Sequence, residues 1–344
     1  MNIKRSGRFA LLSQMLLLAL IFSLASCATL SKEQIKSVEK FGTACDSFNR
    51  YPSLLFAEVA QVRLERGLFY VASLEDPENK VTELNSIYKA FDMEMKLASK
   101  CDLSLKILKS YSNALKVLTG DGRWKSRGVE FRSLGRAIDS LVIATNKLEL
   151  FQEELPVGIA KSAAKIVAYG AETLLKRKQQ RLTRAFVSEA DTLVQALISG
   201  LVQTLRNPQV ASLIENEKKG LALNYKSFLM SNVVTTTYTA AVDTTLHGVC
   251  STSLPLIDNV IVAVPFNSME YDRKYLQLKE RCDKLTYSRG YIISASNRLA
   301  KTHKELSQSL YNKKKVGEIF EQLSYLVSDL EMLQKQFSLV ITAE

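Results

Sequence analysis

Apolar residues recur every three or four positions along most of the chain, a spacing that places them on one face of a helix. In the segment from about residue 81 to 118, this face carries Leu84, Ile87, Phe91 and Met95, and it continues through Cys101. Helix signals agree with the periodicity, since Ser31 and Gln34 fit a capping box. The pattern predicts an all-α fold, an extended bundle of long antiparallel helices.

The C-terminal segment has the strictest apolar repeat of the chain. After residue 312 the apolar positions are Val316, Ile319, Leu323, Leu326, Leu330, Leu333, Phe337 and Val340. This spacing is typical of coiled-coil-like packing. The partner of this seam could be a second copy, but another helix of the same chain is favoured within a bundle.

The segment between Val157 and Arg206 contains no proline, and we expect it to form a single helix about 75 Å long. Asn207 and Pro208 then fit a helix cap followed by a first-turn proline. After residue 27 we find no run that is long and apolar enough to span a bilayer. Six prolines and fourteen glycines in 344 residues are few, which also favours long helices.

Residues 232–266 depart from the helical pattern. The stretch 233–239 is rich in valine and threonine, which are poor helix formers in isolation, and 254–266 is strongly apolar between prolines. This segment could be a β-hairpin, a buried irregular stretch or an exposed apolar tip, and the sequence leaves all three open.

The N-terminus has the three parts of an export signal. Lys4, Arg5 and Arg8 precede an apolar run from Phe9 to Leu24, which is shorter than the ~20 residues of a spanning helix. The run ends in Leu24-Ala25-Ser26-Cys27, which resembles the lipobox of bacterial lipoproteins.

That resemblance implies removal of residues 1–26 and a lipid on the Cys27 thiol, which makes residues 27–30 the lipid anchor and a short tether. The helical pattern predicts that residues 31–344 form a single elongated helical-bundle domain. The resemblance also implies a place in the bacterial cell envelope. Residue 28 is alanine rather than aspartate, which under the rule for Gram-negative lipoproteins favours the outer membrane, facing the periplasm or the cell surface.

Four cysteines remain in the exported part. An even number in an oxidising compartment suggests two disulfides, and we favour Cys45–Cys101 and Cys250–Cys282 because each pair would join neighbouring elements. The alternative is four buried free thiols.

Basic residues outnumber acidic ones, 46 to 35, and their densest cluster lies midway along the predicted long helix. We call this the basic cluster: Lys176, Arg177, Lys178, Arg181 and Arg184. It could contact anionic lipid head groups, a polysaccharide or an acidic protein, or it could be a solvated helix face. Nucleic acid is not expected in the envelope, and no aromatic residue interleaves with the cluster.

Catalytic and metal-binding motifs are missing from the sequence. The only histidines, His247 and His303, have no ligand partner at metal spacing, and His303 falls on a helix seam as a polar core residue would. We therefore predict a non-enzymatic lipoprotein without cofactor or metal, acting as a scaffold or protein-binding module with an envelope protein as partner. The alternative is a membrane-active or pore-forming protein that uses the apolar segment 254–266. An enzyme with an unrecognised active site is less favoured.

Overall fold

The computed structural model describes residues 30–120, 124–168, 176–232, 234–239, 259–264, 267–311 and 316–341. These residues are almost entirely helical, which confirms the predicted all-α fold. The helices are α1 (Lys32–Phe48), α2 (Tyr51–Ala72), α3 (Pro77–Thr119), α4 (Trp124–Asn146), α5 (Ile159–Ala168), α6 (Lys176–Arg206), α7 (Pro208–Ser231), α8 (Met269–Ser309) and α9 (Val316–Ile341). Strands β1 (Val234–Thr239) and β2 (Asn259–Val264) lie between α7 and α8.

Local side-chain bonds fix where several helices begin. At α1, the Ser31 hydroxyl accepts from the Gln34 N–H, and the Gln34 side chain accepts in return from the Ser31 N–H, so the predicted capping box is confirmed. The Asn207 side chain caps α7, whose first residue is Pro208, as predicted. These bonds satisfy amide groups that a helix start leaves without intrahelical partners.

The bundle has two ends, and α8 runs between them. Near the end of α8, the Ser309 carbonyl accepts a hydrogen bond from Gln34 of α1. At its start, Asp272 accepts a hydrogen bond from Tyr225 near the end of α7. The 41 residues of α8 correspond to about 60 Å of helix. We call the end where α1 begins and α8 finishes the α1 end, and the described part of α6 begins there too. We call the opposite end, where α7 finishes and α8 begins, the hairpin end.

The hairpin end takes its name from the two strands. β1 and β2 pair antiparallel, with Val234 opposite Val264 and Thr239 opposite Asn259. Of the three structures considered for residues 232–266, this pairing corresponds to the β-hairpin. The candidate segment 254–266 overlaps it only at β2, and its other residues lie outside the described part of the chain.

One contiguous apolar core holds the helices together, and it includes residues from Leu30 to Phe337. The C-terminal seam is buried in it from Ile319 to Phe337. Helix α9 packs against α8 and α1, so the seam has its partners within the chain. Whether this packing has coiled-coil geometry stays a prediction.

The expectation of one long helix over residues 157–206 is wrong. In a single straight helix the end of α5 and the start of α6 would be about 12 Å apart along the axis, too far for the two segments to pack together. Helix α5 nevertheless contacts both α6 and α4. The small residues of α5 allow α4 to approach closely, because Ala163 lies directly against Gly135.

The proposed Cys45–Cys101 disulfide is also wrong, since both residues are buried free thiols. Cys45 interacts with Tyr111 and Lys116 of α3. Cys101 is ten residues before Tyr111, about 15 Å along the helix, whereas a disulfide needs Cα atoms within about 7 Å. Burial raises the pKa of the Cys101 thiol to about 12.

Cys282 is a third buried thiol and forms no disulfide with any cysteine of the described residues. Its proposed partner, Cys250, lies outside them, as do Cys27 and His247. Burial raises the pKa of the Cys282 thiol to about 12. A thiol with so high a pKa is a poor nucleophile, because only the thiolate reacts.

Among the described residues, one helical stretch, Gln180–Arg206, is long and apolar enough to cross a membrane by length and composition. The expectation that no later segment meets this test is therefore wrong. Within its most apolar window, 56% is buried inside the bundle, as in the core helix of a globular protein.

Candidate functional site

The first turns of α6 lie beside Leu30, the first described residue of the chain. The Leu30 N–H donates a buried hydrogen bond of 3.0 Å to Oε1 of Gln180, within the basic cluster. Leu30 is itself part of the core. This contact fixes the point at which the chain enters the bundle next to the first turns of α6.

The structure divides the basic cluster into parts. Arg181 is exposed and Arg184 is half-buried, while for Lys176, Arg177 and Lys178 only the helical backbone is described. The Arg184 guanidinium lies 5.1 Å from the ring centroid of Tyr311, which follows α8 and is 61% exposed. The sequence missed this aromatic partner because 127 positions separate the two residues.

Other charged side chains at the α1 end are of both signs. Lys32, Lys36 and Lys304 are exposed here, as are Glu33 and Glu318, and Glu305 near the end of α8 is half-buried. Backbone and Ser31 hydrogen bonds at the helix start lower the pKa of Glu33. The excess of positive charge at the α1 end comes from the five basic residues among positions 176–184 of α6, a stretch with no acidic residue.

The polar group that most resembles catalytic machinery is a buried chain of three side chains. His303 bonds through Nδ1 to Asp191 and through Nε2 to the Tyr111 hydroxyl, both at 2.7 Å. With the Nδ1 proton donated to Asp191, Nε2 accepts from Tyr111. Tyr111 and His303 are 1% and 0% exposed, so no substrate can reach them.

Aromatic side chains pack against the hydrogen-bonded pair of His303 and Tyr111. Phe41 and Phe186 pack against His303 and Tyr111 respectively. Burial raises the pKa of the Tyr111 hydroxyl well above its usual value, and the hydrogen bond from His303 lowers the pKa of Asp191. His303 is therefore the polar core residue that the sequence indicates, joining α3, α6 and α8.

A second buried cluster joins α2, α3 and α7 in the half of the bundle nearer the hairpin end. Glu217, which is 0% exposed, accepts hydrogen bonds of 2.7 Å from both Arg63 and Arg66. Arg63 also pairs with Glu94 at 2.5 Å. Burial raises the pKa of Glu94, and repulsion from Glu217 adds to that rise. Two guanidinium groups and two carboxylates balance in charge here, with Glu217 held by hydrogen bonds and Glu94 only by its ion pair with Arg63, so we interpret the network as structural.

A surface groove of about 600 Å³ runs between α1 and α9. Its lining includes apolar side chains such as Tyr51 and Leu330, and both Lys40 and Glu39. Because charges of both signs line it, the groove does not select a ligand by charge.

The hairpin end exposes large apolar side chains. Val81, Leu84 and Tyr88 follow one another on one face of α3 and are 60%, 42% and 65% exposed. Leu84 was expected on a buried face, but none of the described residues covers it on that side. Met230 of α7 and Met269 of α8 are exposed at the same end.

Within the described ranges, no group of three or more His, Cys, Asp or Glu residues is arranged to hold a metal ion. Comparison with protein-family models, curated proteins and solved structures found no match.

Proposed function

We propose that the protein is a lipid-anchored, non-catalytic module of the bacterial cell envelope that presents its hairpin end to a protein partner. The observation that carries this proposal is the position of Leu30 at the α1 end of the bundle. The three residue steps from Cys27 to Leu30 span at most about 11 Å, so a lipid on Cys27 would hold that end at the membrane.

The opposite end would then project away from the bilayer. Helix α8 separates the two ends by about 60 Å. The exposed apolar side chains of α3, α7 and α8 at the hairpin end support a role in binding protein, because clustered apolar surface on a soluble face marks interaction sites. The outer membrane, with the bundle facing the periplasm or the cell surface, is the proposed location.

The membrane-active alternative is less well supported by this arrangement. The described part of segment 254–266 is β2 at the hairpin end, and β2 would reach the anchoring bilayer only if the bundle lay flat. A partner-binding role requires no such reorientation, and the buried networks of Glu217 and His303 favour a rigid body.

Substitution of the lipidated residue tests the anchor. The variant Cys27→Ser, exported behind a leader whose cleavage does not need acylation, should move from the membrane fraction to the soluble fraction. Membranes are washed at high salt, because salt screens surface charge contacts but leaves acyl chains embedded.

The matched control is Cys101→Ala, which removes a buried thiol and should stay in the membrane fraction. Retention of the Cys27→Ser variant after the salt wash would refute acylation as the anchor. Mass spectrometry of the N-terminal peptide of the native protein should show the added acyl mass on Cys27.

A further inference from the structure

We infer that the α1 end is a docking surface for the anionic lipid head groups of the membrane to which the protein is tethered. This inference rests on the proposed anchor and adds a second, electrostatic contact with the same bilayer. It gives the basic cluster a binding role and specifies the chemistry of its ligand.

The basic cluster and the tether lie at the same end of the molecule. The hydrogen bond between Leu30 and Gln180 places the first turns of α6 within reach of the bilayer that would hold Cys27. Residues 176–184 of α6 include five basic side chains and no acidic one. A single tether leaves the bundle free to tilt, whereas charge at its base would favour an upright orientation.

The composition of this end matches a membrane surface better than a soluble polyanion. Basic segments next to a membrane gain about 1 kcal/mol per Lys or Arg from anionic lipids. Exposed tyrosine is typical of the membrane–water interface, and Tyr311 is held here by the Arg184 guanidinium. The carboxylates that would oppose this attraction include those of Glu33, Glu305 and Glu318.

Vesicle binding by the unacylated chain tests the inference separately from the anchor. Protein that begins at Ala28 keeps every residue of the described core. It should co-sediment with vesicles that contain phosphatidylglycerol and not with vesicles of phosphatidylcholine alone. Its affinity should fall as salt is added, because salt screens the attraction.

The decisive variant carries Lys176→Gln, Lys178→Gln and Arg181→Gln. Its partition coefficient on phosphatidylglycerol vesicles should fall about a hundredfold, the effect of three charges near a surface. The matched control carries Lys89→Gln, Lys226→Gln and Arg273→Gln, exposed residues from the half of the bundle at the hairpin end, and removes the same net charge. The control should bind as the parent does.

Several outcomes would overturn the inference. Equal losses in both variants would mean that net charge alone drives binding. Binding to dextran sulfate without binding to phosphatidylglycerol vesicles would assign the surface to a soluble polyanion. Both binding experiments use the unacylated chain, so their outcome does not depend on the lipid anchor. The anchor itself is tested only by the Cys27→Ser variant. Thermal unfolding of both triple variants must match that of the parent, which shows that the fold is intact.

Discussion

Replacing Glu217 with glutamine should lower the free energy of unfolding by about 3 kcal/mol, the cost of breaking a buried ion pair from one side. Glu217 is fully buried and bonds to Arg63 and Arg66, whose side chains are mostly buried. Glutamine has nearly the same shape but no charge. The variant would leave two guanidinium groups facing Glu94 alone, whose pKa burial has already raised. Urea denaturation followed by circular dichroism measures this difference.

A neighbouring surface pair provides the control. Lys218, the next residue along α7, pairs with Asp283 at 2.6 Å, but both side chains are more than 40% exposed. Asp283→Asn should therefore change stability by less than about 1 kcal/mol. If the two substitutions have the same small effect, the Glu217 cluster does not hold α2 and α7 together.

Replacing Asp191 with alanine should destabilise the protein by about 2 kcal/mol at neutral pH, since the hydrogen bond between its part-buried carboxylate and the buried His303 imidazole is lost. Asp191 accepts hydrogen bonds from both His303 and Gln195, and its loss would leave His303 Nδ1 without this acceptor in an apolar site. The exposed residue Glu189, two positions earlier on α6, is the matched control, and Glu189→Ala should have little effect.

The effect of Asp191 should depend on pH in a defined direction. Its pKa in the folded protein is lowered, chiefly by the hydrogen bond from His303. A carboxyl with a lowered folded pKa stabilises the protein above its unfolded pKa of about 3.9, and that contribution is lost as pH falls through the folded value. The difference between parent and Asp191→Ala should thus be full at neutral pH and shrink in acid below about pH 4. A difference that grows in acid would contradict this account.

The parts of the fold that the sequence predicted are those that local spacing determines. The capping box at Ser31, the cap at Asn207 and the buried seam of α9 each depend on residues a few positions apart. The Glu217 network was missed because Arg63 and Arg66 are about 150 positions away from their partner. The i,i+3 spacing of those arginines, which places them on the same side of α2, is the one signal that could have indicated a shared acidic partner.

The errors have a physical origin as well. An even number of cysteines suggests disulfides, but two cysteines can pair only where their Cα atoms come close in space. Cys45 interacts with Tyr111, which lies about 15 Å along α3 from Cys101. Leu84 is exposed among the described residues although it lies on the apolar face of α3, because periodicity shows which residues share a face but not which part of that face another helix covers. His303 was correctly expected in a polar core position, although its partners Asp191 and Tyr111 lie on other helices.

The central claim is that the molecule is held at its α1 end with the hairpin end away from the membrane. The most direct measurement is energy transfer from a single fluorophore to acceptor-labelled lipid head groups, with the acylated protein in vesicles. Lys32→Cys labels one end and Met230→Cys the other, in a Cys250→Ser background, since Cys45, Cys101 and Cys282 are buried. We expect strong transfer from position 32 and weak transfer from position 230, because about 60 Å of helix separates the two ends. Equally strong transfer from both positions would mean that the bundle lies flat or inserts its hairpin end, and would contradict the proposed function.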